Sequence, residues 1–121
     1  MTEQTARVFI WYGHPLFAQA MKTLLRREGM EIVGIGSAAC EVLPAILRLQ
    51  PDVVVADRIV ERMYPLGIAE VMRGCGRVRV LVFDLIEDGM RIYDGQRSGA
   101  GKLEAIVQAI AGGVLSPAPA A

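Results

Sequence analysis

What this chain has little of narrows its chemistry. It holds one histidine and two cysteines among 121 residues. Cys40 and Cys75 show no metal-ligand spacing, so neither a zinc site nor a disulfide framework is expected. The lone His14 stands directly before Pro15, with no Ser or Cys partner signalled for it to activate, and reads as a residue at a helix start rather than a base. Lysine is scarce: Lys22 and Lys102 stand against eleven arginines. Neither sign of charge is in excess, with 13 basic and 13 acidic residues, which gives no electrostatic reason to propose nucleic acid or an anionic membrane as partner. No apolar run approaches a membrane span and no stretch reads as a signal peptide. The expectation is a reduced, soluble, cytoplasmic protein without cofactor or metal.

What is present is a core. Apolar residues make up 53% of the chain, slightly above the globular average. The length suits a single domain, expected over 1–115, with "SPAPAA" at 116–121 as a loose tail. Four apolar runs read as buried strands: Arg7–Trp11, Glu31–Ile35, Val53–Ala56 and Arg77–Phe83. The third is almost continuous valine, the pattern of a parallel strand covered on both faces.

Helical spacing falls between the strands. Phe17, Met21, Leu24 and Leu25 form one stripe. Val42, Ile46 and Leu49 form another, with Pro44 expected in the first turn, where its missing N–H costs little. Ile68, Val71 and Met72 mark a shorter helix. Leu103, Ile106, Val107 and Ile110 mark a last one, stopped by Gly112-Gly113. Strand–helix alternation predicts an α/β, doubly wound sheet, with its site at the carboxyl ends of the strands. The residues there are Tyr12, Gly13 and His14, then Asp57, then Asp84.

The second half departs from this alternation. "VRVLVFDLIEDGMRIYDG" leaves too few residues after Phe83 for a parallel crossover. Asp88-Gly89 is a strong two-residue turn signal, so the last strand, Met90–Tyr93, is expected to run antiparallel to the fourth. That turn would pair Leu85 with Ile92 on one face and Asp84 with Tyr93 on the other.

The order of segments from about Arg7 to Gly113 resembles the response-regulator receiver domain of two-component signalling. "QPDVVVAD", Gln50 to Asp57, has the Pro-Asp pair, the aliphatic strand and the terminal aspartate that accepts a phosphoryl group in that family. "HPLF", His14 to Phe17, resembles the start of the first helix in receivers attached to helix-turn-helix domains. The resemblance implies a flavodoxin-like five-stranded sheet with Asp57 at the phosphoacceptor position.

The departures from the family pattern are chemical. Tyr12 and Gly13 stand where the resemblance places the acidic pair that holds Mg²⁺. Asp84 replaces a hydroxyl residue. The lysine at the end of the fifth strand is missing, with Lys102 falling in the last helix, and the helix between the fourth and fifth strands is replaced by the hairpin. Mg²⁺ needs hard oxygen ligands, and phosphoryl transfer depends on charge neutralisation. Asp57 is therefore expected to be inactive as an acceptor and to serve as a cap or ligand for backbone N–H groups.

A rival motif is Gly34-Ile35-Gly36-Ser37-Ala38-Ala39, which fits G-x-G-x-x-A after a strand, with Asp57 at the end of the next strand. It would make a mononucleotide-binding domain using Gly34 and Gly36. The plain alternative is that small residues let a helix pack closely on the sheet.

The expected function is that of a non-enzymatic interaction module: an atypical receiver that binds a protein partner without phosphorylation. The alternative is a receiver phosphorylated on Asp57. The expected working surface is Met90, Ile92 and Tyr93 together with Leu103 and Val107, most simply as a homodimer face, because an antiparallel edge strand exposes unpaired backbone groups.

Overall fold

The computed structural model describes residues 5–84 and 89–94. In chain order the elements are β1 (Arg7–Trp11), α1 (Pro15–Arg27), β2 (Glu31–Gly36), α2 (Ala39–Leu49), β3 (Val53–Asp57), α3 (Arg58–Met63), α4 (Pro65–Gly74), β4 (Arg79–Asp84) and β5 (Gly89–Asp94). The strands form one five-stranded sheet in the order β2-β1-β3-β4-β5. The first four are parallel, and β5 runs antiparallel to β4. This is the flavodoxin-like, receiver-like order with its last strand reversed. Its switch point lies between β1 and β3, where ligands bind in open α/β sheets.

The central position of β3 explains its valines: all of Val53–Asp57 is buried. Alternation sends Val54 and Ala56, with Phe9, Trp11, Val80 and Val82, to the face covered by α2, α3 and α4. Val8, Ile10, Val53, Val55 and Leu81 point to the other face, against Phe17, Met21 and Leu25 of α1. Burial of each such large side chain is worth roughly 1.5–3 kcal/mol, so these two layers hold the strand ends in place.

Four details differ from the sequence expectation. Pro44 is not in the first turn of its helix; α2 begins at Ala39 and Pro44 lies inside it. The exposed face of the helix carries the ring, so water reaches the turn that loses a hydrogen bond. The strand expected from Arg77 starts at Arg79 instead, because the Val78 N–H turns back to the Cys75 carbonyl.

The third difference is an additional helix, α3. Asp57 caps its start, and Tyr64, at φ −132° and ψ 58°, ends it ahead of Pro65. A residue before proline is pushed out of the helical region, which splits the segment into α3 and α4.

The fourth is the hairpin register. Ile92 pairs with Leu81 and Tyr93 with Val80, not with Leu85 and Asp84, and Asp84 pairs with Gly89. Asp88-Gly89 is therefore not the two-residue closure expected. The shift is four residues, an even number, so every side chain keeps its predicted face. It also sets β5 against the apolar stretch Val80–Phe83, which the expected register would have left unpaired on the side away from β3. The predicted helix around 103–110, Lys102 and the tail at 116–121 lie outside the described residues.

Candidate functional site

Asp57 closes β3 at the switch point and is 2% exposed. Its carboxylate accepts three backbone hydrogen bonds. Oδ1 receives the Val60 N–H at 3.1 Å, which caps α3. Oδ2 receives the Gly13 N–H at 2.9 Å and the His14 N–H at 2.8 Å. Two amides of the β1–α1 loop thus meet the carboxylate, one of them at Gly13, a position that the sequence resemblance gives to a metal-binding acid. Charge-assisted hydrogen bonds of this kind are about twice as strong as neutral ones.

Gly13 permits this approach. A Cβ there would lie 2.6 Å from both Cβ and Cγ2 of Ile59 and 2.9 Å from Asp57 Oδ1. No side chain fits without moving the loop away. The neighbouring residues fill the strand end. Trp11 is fully buried, donates from Nε1 to the Ser37 carbonyl at 3.1 Å and stacks on Tyr64 with ring centroids 5.7 Å apart. Tyr12 is half-buried against the α1 side of the sheet, and its N–H donates to the Gly36 carbonyl. His14 caps α1, with Nδ1 accepting the Leu16 N–H at 3.1 Å.

Asp84, at the end of β4, is engaged by a residue that sequence reasoning missed. Arg58, directly after Asp57, reaches it with Nη1 2.7 Å from Oδ2. The Asp84 charge is thus countered locally. Arg58 Nε also lies 3.5 Å from Glu61 Oε1, while Glu61 Oε2 takes Arg91 Nε at 3.2 Å and the Tyr93 hydroxyl donates to the same oxygen. Burial raises the Tyr93 pKa above its ordinary value, and the Glu61 hydrogen bond and charge raise it further, partly offset by Arg91 and Arg58. An open cleft of about 260 Å³ adjoins this cluster, lined by Arg58, Val82, Asp84, Gly89, Met90 and Arg91. The missed signal was the Asp57 cap followed by an Arg58/Glu61 pair one helical turn apart, which marks the start of a helix.

The residues do not fit a receiver's Mg²⁺. Tyr12 and Gly13 offer no carboxylate, the Asp57 oxygens face N–H donors, and Asp84 faces a guanidinium. Among the described residues, no three His, Cys, Asp or Glu side chains gather as a metal site.

The glycines of the rival motif have packing roles. Gly34 lies within β2, where a Cβ would run into the Phe9 ring, and a Cβ at Gly36 would lie 2.7 Å from Val42 Cγ2. β2 is also an edge strand, set off from the switch point between β1 and β3. Of the expected working surface, Met90 and Ile92 are partly buried against the α1-side core and Tyr93 against the opposite one; Leu103 and Val107 lie outside the described residues.

This architecture is a flavodoxin-like α/β sheet with its last strand reversed, and the sequence is similar to one curated relative. The chain is 26% identical over 100 residues to the DNA-binding response regulator MtrA of Mycolicibacterium smegmatis, a match covering 83% of this chain and 43% of that protein. The chain thus spans less than half the length of the curated relative it matches. Among solved structures, the signal receiver domain of the response regulator NarL from Mycobacterium tuberculosis aligns with a TM-score of 0.48 at 19% identity, covering 88% of this chain and 79% of that one. No family model matches. Among the described residues, no helix is long and apolar enough to cross a membrane.

Proposed function

We propose that this domain is an atypical, cytoplasmic receiver module of a bacterial two-component-type pathway that acts by protein–protein contact, not as an enzyme and without Mg²⁺-dependent phosphorylation. One observation carries the reading: the buried Asp57 carboxylate is taken up by the Gly13, His14 and Val60 amides. Transfer of a phosphoryl group to a carboxylate needs a free oxygen in line with phosphorus and cations around the incoming charge. Here three backbone donors take up most of the carboxylate's roughly four acceptor sites, and Ile59 occupies the space where a Cβ on Gly13 would stand. The amides do for the carboxylate what a metal does elsewhere: they stabilise its charge. They also fix the β1–α1 loop in one position.

A phosphorylatable receiver is the second reading, favoured by the likeness to MtrA and by the place of Asp57 at the end of β3. Titration of ¹⁵N-labelled protein with Mg²⁺ and beryllofluoride separates the two. The amide signals of Gly13 and His14 are expected to stay in place; saturable shifts there would favour the second reading. Mononucleotide binding draws no support from Gly34 and Gly36, and ATP or NADH is expected to leave the melting temperature unchanged.

A further inference from the structure

β5 ends the sheet, and among the described residues no strand pairs with its outer side. The strand is six residues long and its ladder with β4 is regular from Arg79↔Asp94 to Asp84↔Gly89. Its own residues carry few of the usual protections of an edge. It contains no proline, no lysine and no bulge, and Arg91 is the one charge ahead of its last residue. We propose that a second copy of this chain pairs there, β5 against β5 and antiparallel, about a two-fold axis through Ile92, joining the two sheets into one.

The register follows from symmetry and charge. A two-fold axis normal to the sheet keeps each face with its like, so the axis passes through a residue and not between residues. Centred on Arg91, it would set two guanidinium groups directly opposite each other, which is destabilising. Centred on Ile92, it opposes the two Ile92 side chains and sets each Arg91 across from Tyr93 of the second copy. Arg91 is half-exposed and already holds Glu61 at 3.2 Å on its own chain. The facing Tyr93 donates to Glu61 of its own chain. The two clusters thereby merge with alternating sign, and the guanidinium meets an aromatic ring, a favourable cation–π arrangement. On the other face, Met90 and Ile92 extend the apolar layer of β4 across the junction.

This inference gives the contact module proposed above its partner, and rests on that reading only in treating the domain as one that works through contact. Light scattering reads it whatever the state of Asp57. The full chain at micromolar concentration is expected to show twice its own mass, and Arg91→Glu, with folding checked by circular dichroism, at least tenfold weaker association. In a Cys40→Ser background, oxidised glutathione is expected to link Ile92→Cys into a covalent dimer and to leave Met90→Cys unlinked, because only position 92 faces itself. A monomeric full chain, a dimer indifferent to Arg91→Glu, or equal linking from both cysteine positions would overturn the proposal. Should Arg91→Glu fail to fold, the cysteine pair decides.

Discussion

Gly13 touches both oxygens of Asp57 in different senses: its N–H donates to Oδ2 at 2.9 Å, while a Cβ on it would stand 2.9 Å from Oδ1. The bond exists because the side chain does not. Gly13→Ala is therefore expected to destabilise the fold by about 1–3 kcal/mol, the range of core overpacking. Ile59 supplies the nearest clash through both Cβ and Cγ2, and alanine keeps the Cβ, so adding Ile59→Ala should recover little of that loss. Urea unfolding of the two variants measures both effects. Tyr12→Asp with Gly13→Asp restores the acids of the family pattern, but it should cost at least as much as Gly13→Ala, since the larger side chain must open the loop.

Asp57→Asn tests the carboxylate itself. An amide can accept with one atom only, so its NH₂ must face at least one of the Gly13, His14 and Val60 donors. The expected cost is about 1–3 kcal/mol. Asp57→Ala leaves all three donors without an acceptor and should cost more. From sequence alone, a mere local cap predicts easy tolerance. A buried carboxylate spanning two loops predicts the larger loss, and chemical denaturation of the pair of variants distinguishes them.

Tyr93 should make stability fall at high pH. Its pKa is raised in the folded state, by burial first and by Glu61 second, above an ordinary value of 10.0. The folded protein then holds the phenol proton more tightly than the unfolded chain. The stability this contributes is complete below 10.0 and is lost as pH rises through and beyond it. Tyr93→Phe should flatten the alkaline part of a stability-against-pH curve and cost about 0.5–1.5 kcal/mol at neutral pH through the lost Glu61 bond.

The two thiols should separate cleanly in a labelling experiment. Cys75 is buried, and burial raises its pKa above 9.0, partly offset by a hydrogen bond from Gln50. Cys40 is exposed. An aromatic disulfide reagent at mildly alkaline pH should release one equivalent quickly from Cys40, with Cys75 reacting only as the protein unfolds.

These residues also show how far the sequence could be read. The valine run of β3, the stripes of α1 and α2 and the scarcity of residues after Phe83 were enough for the parallel order and the reversed last strand, because each follows from local period or chain length. The hairpin register was not legible. Asp88-Gly89 is a strong local signal, but β5 pairs with the wholly apolar Val80–Phe83, a choice of partner that local turn chemistry does not encode. Pro44 misled for a related reason: it lies on an exposed helix face, where water can take up the carbonyl it leaves free, and sequence alone does not reveal that face. At the site, Asp57, Tyr12, Gly13 and Asp84 could be named in advance. Their bonding could not, because the donors to Asp57 are backbone amides that carry no residue signature, and Arg58 meets Asp84 only once β3 and β4 lie side by side.

The most direct measurement is the intact mass of the protein after incubation with acetyl phosphate and Mg²⁺, beside Asp57→Asn treated in the same way. With the carboxylate committed to three amides, the mass of both proteins should remain that of the untreated chains. Stoichiometric gain of one phosphoryl group by the unmodified chain, absent from Asp57→Asn, would contradict the account.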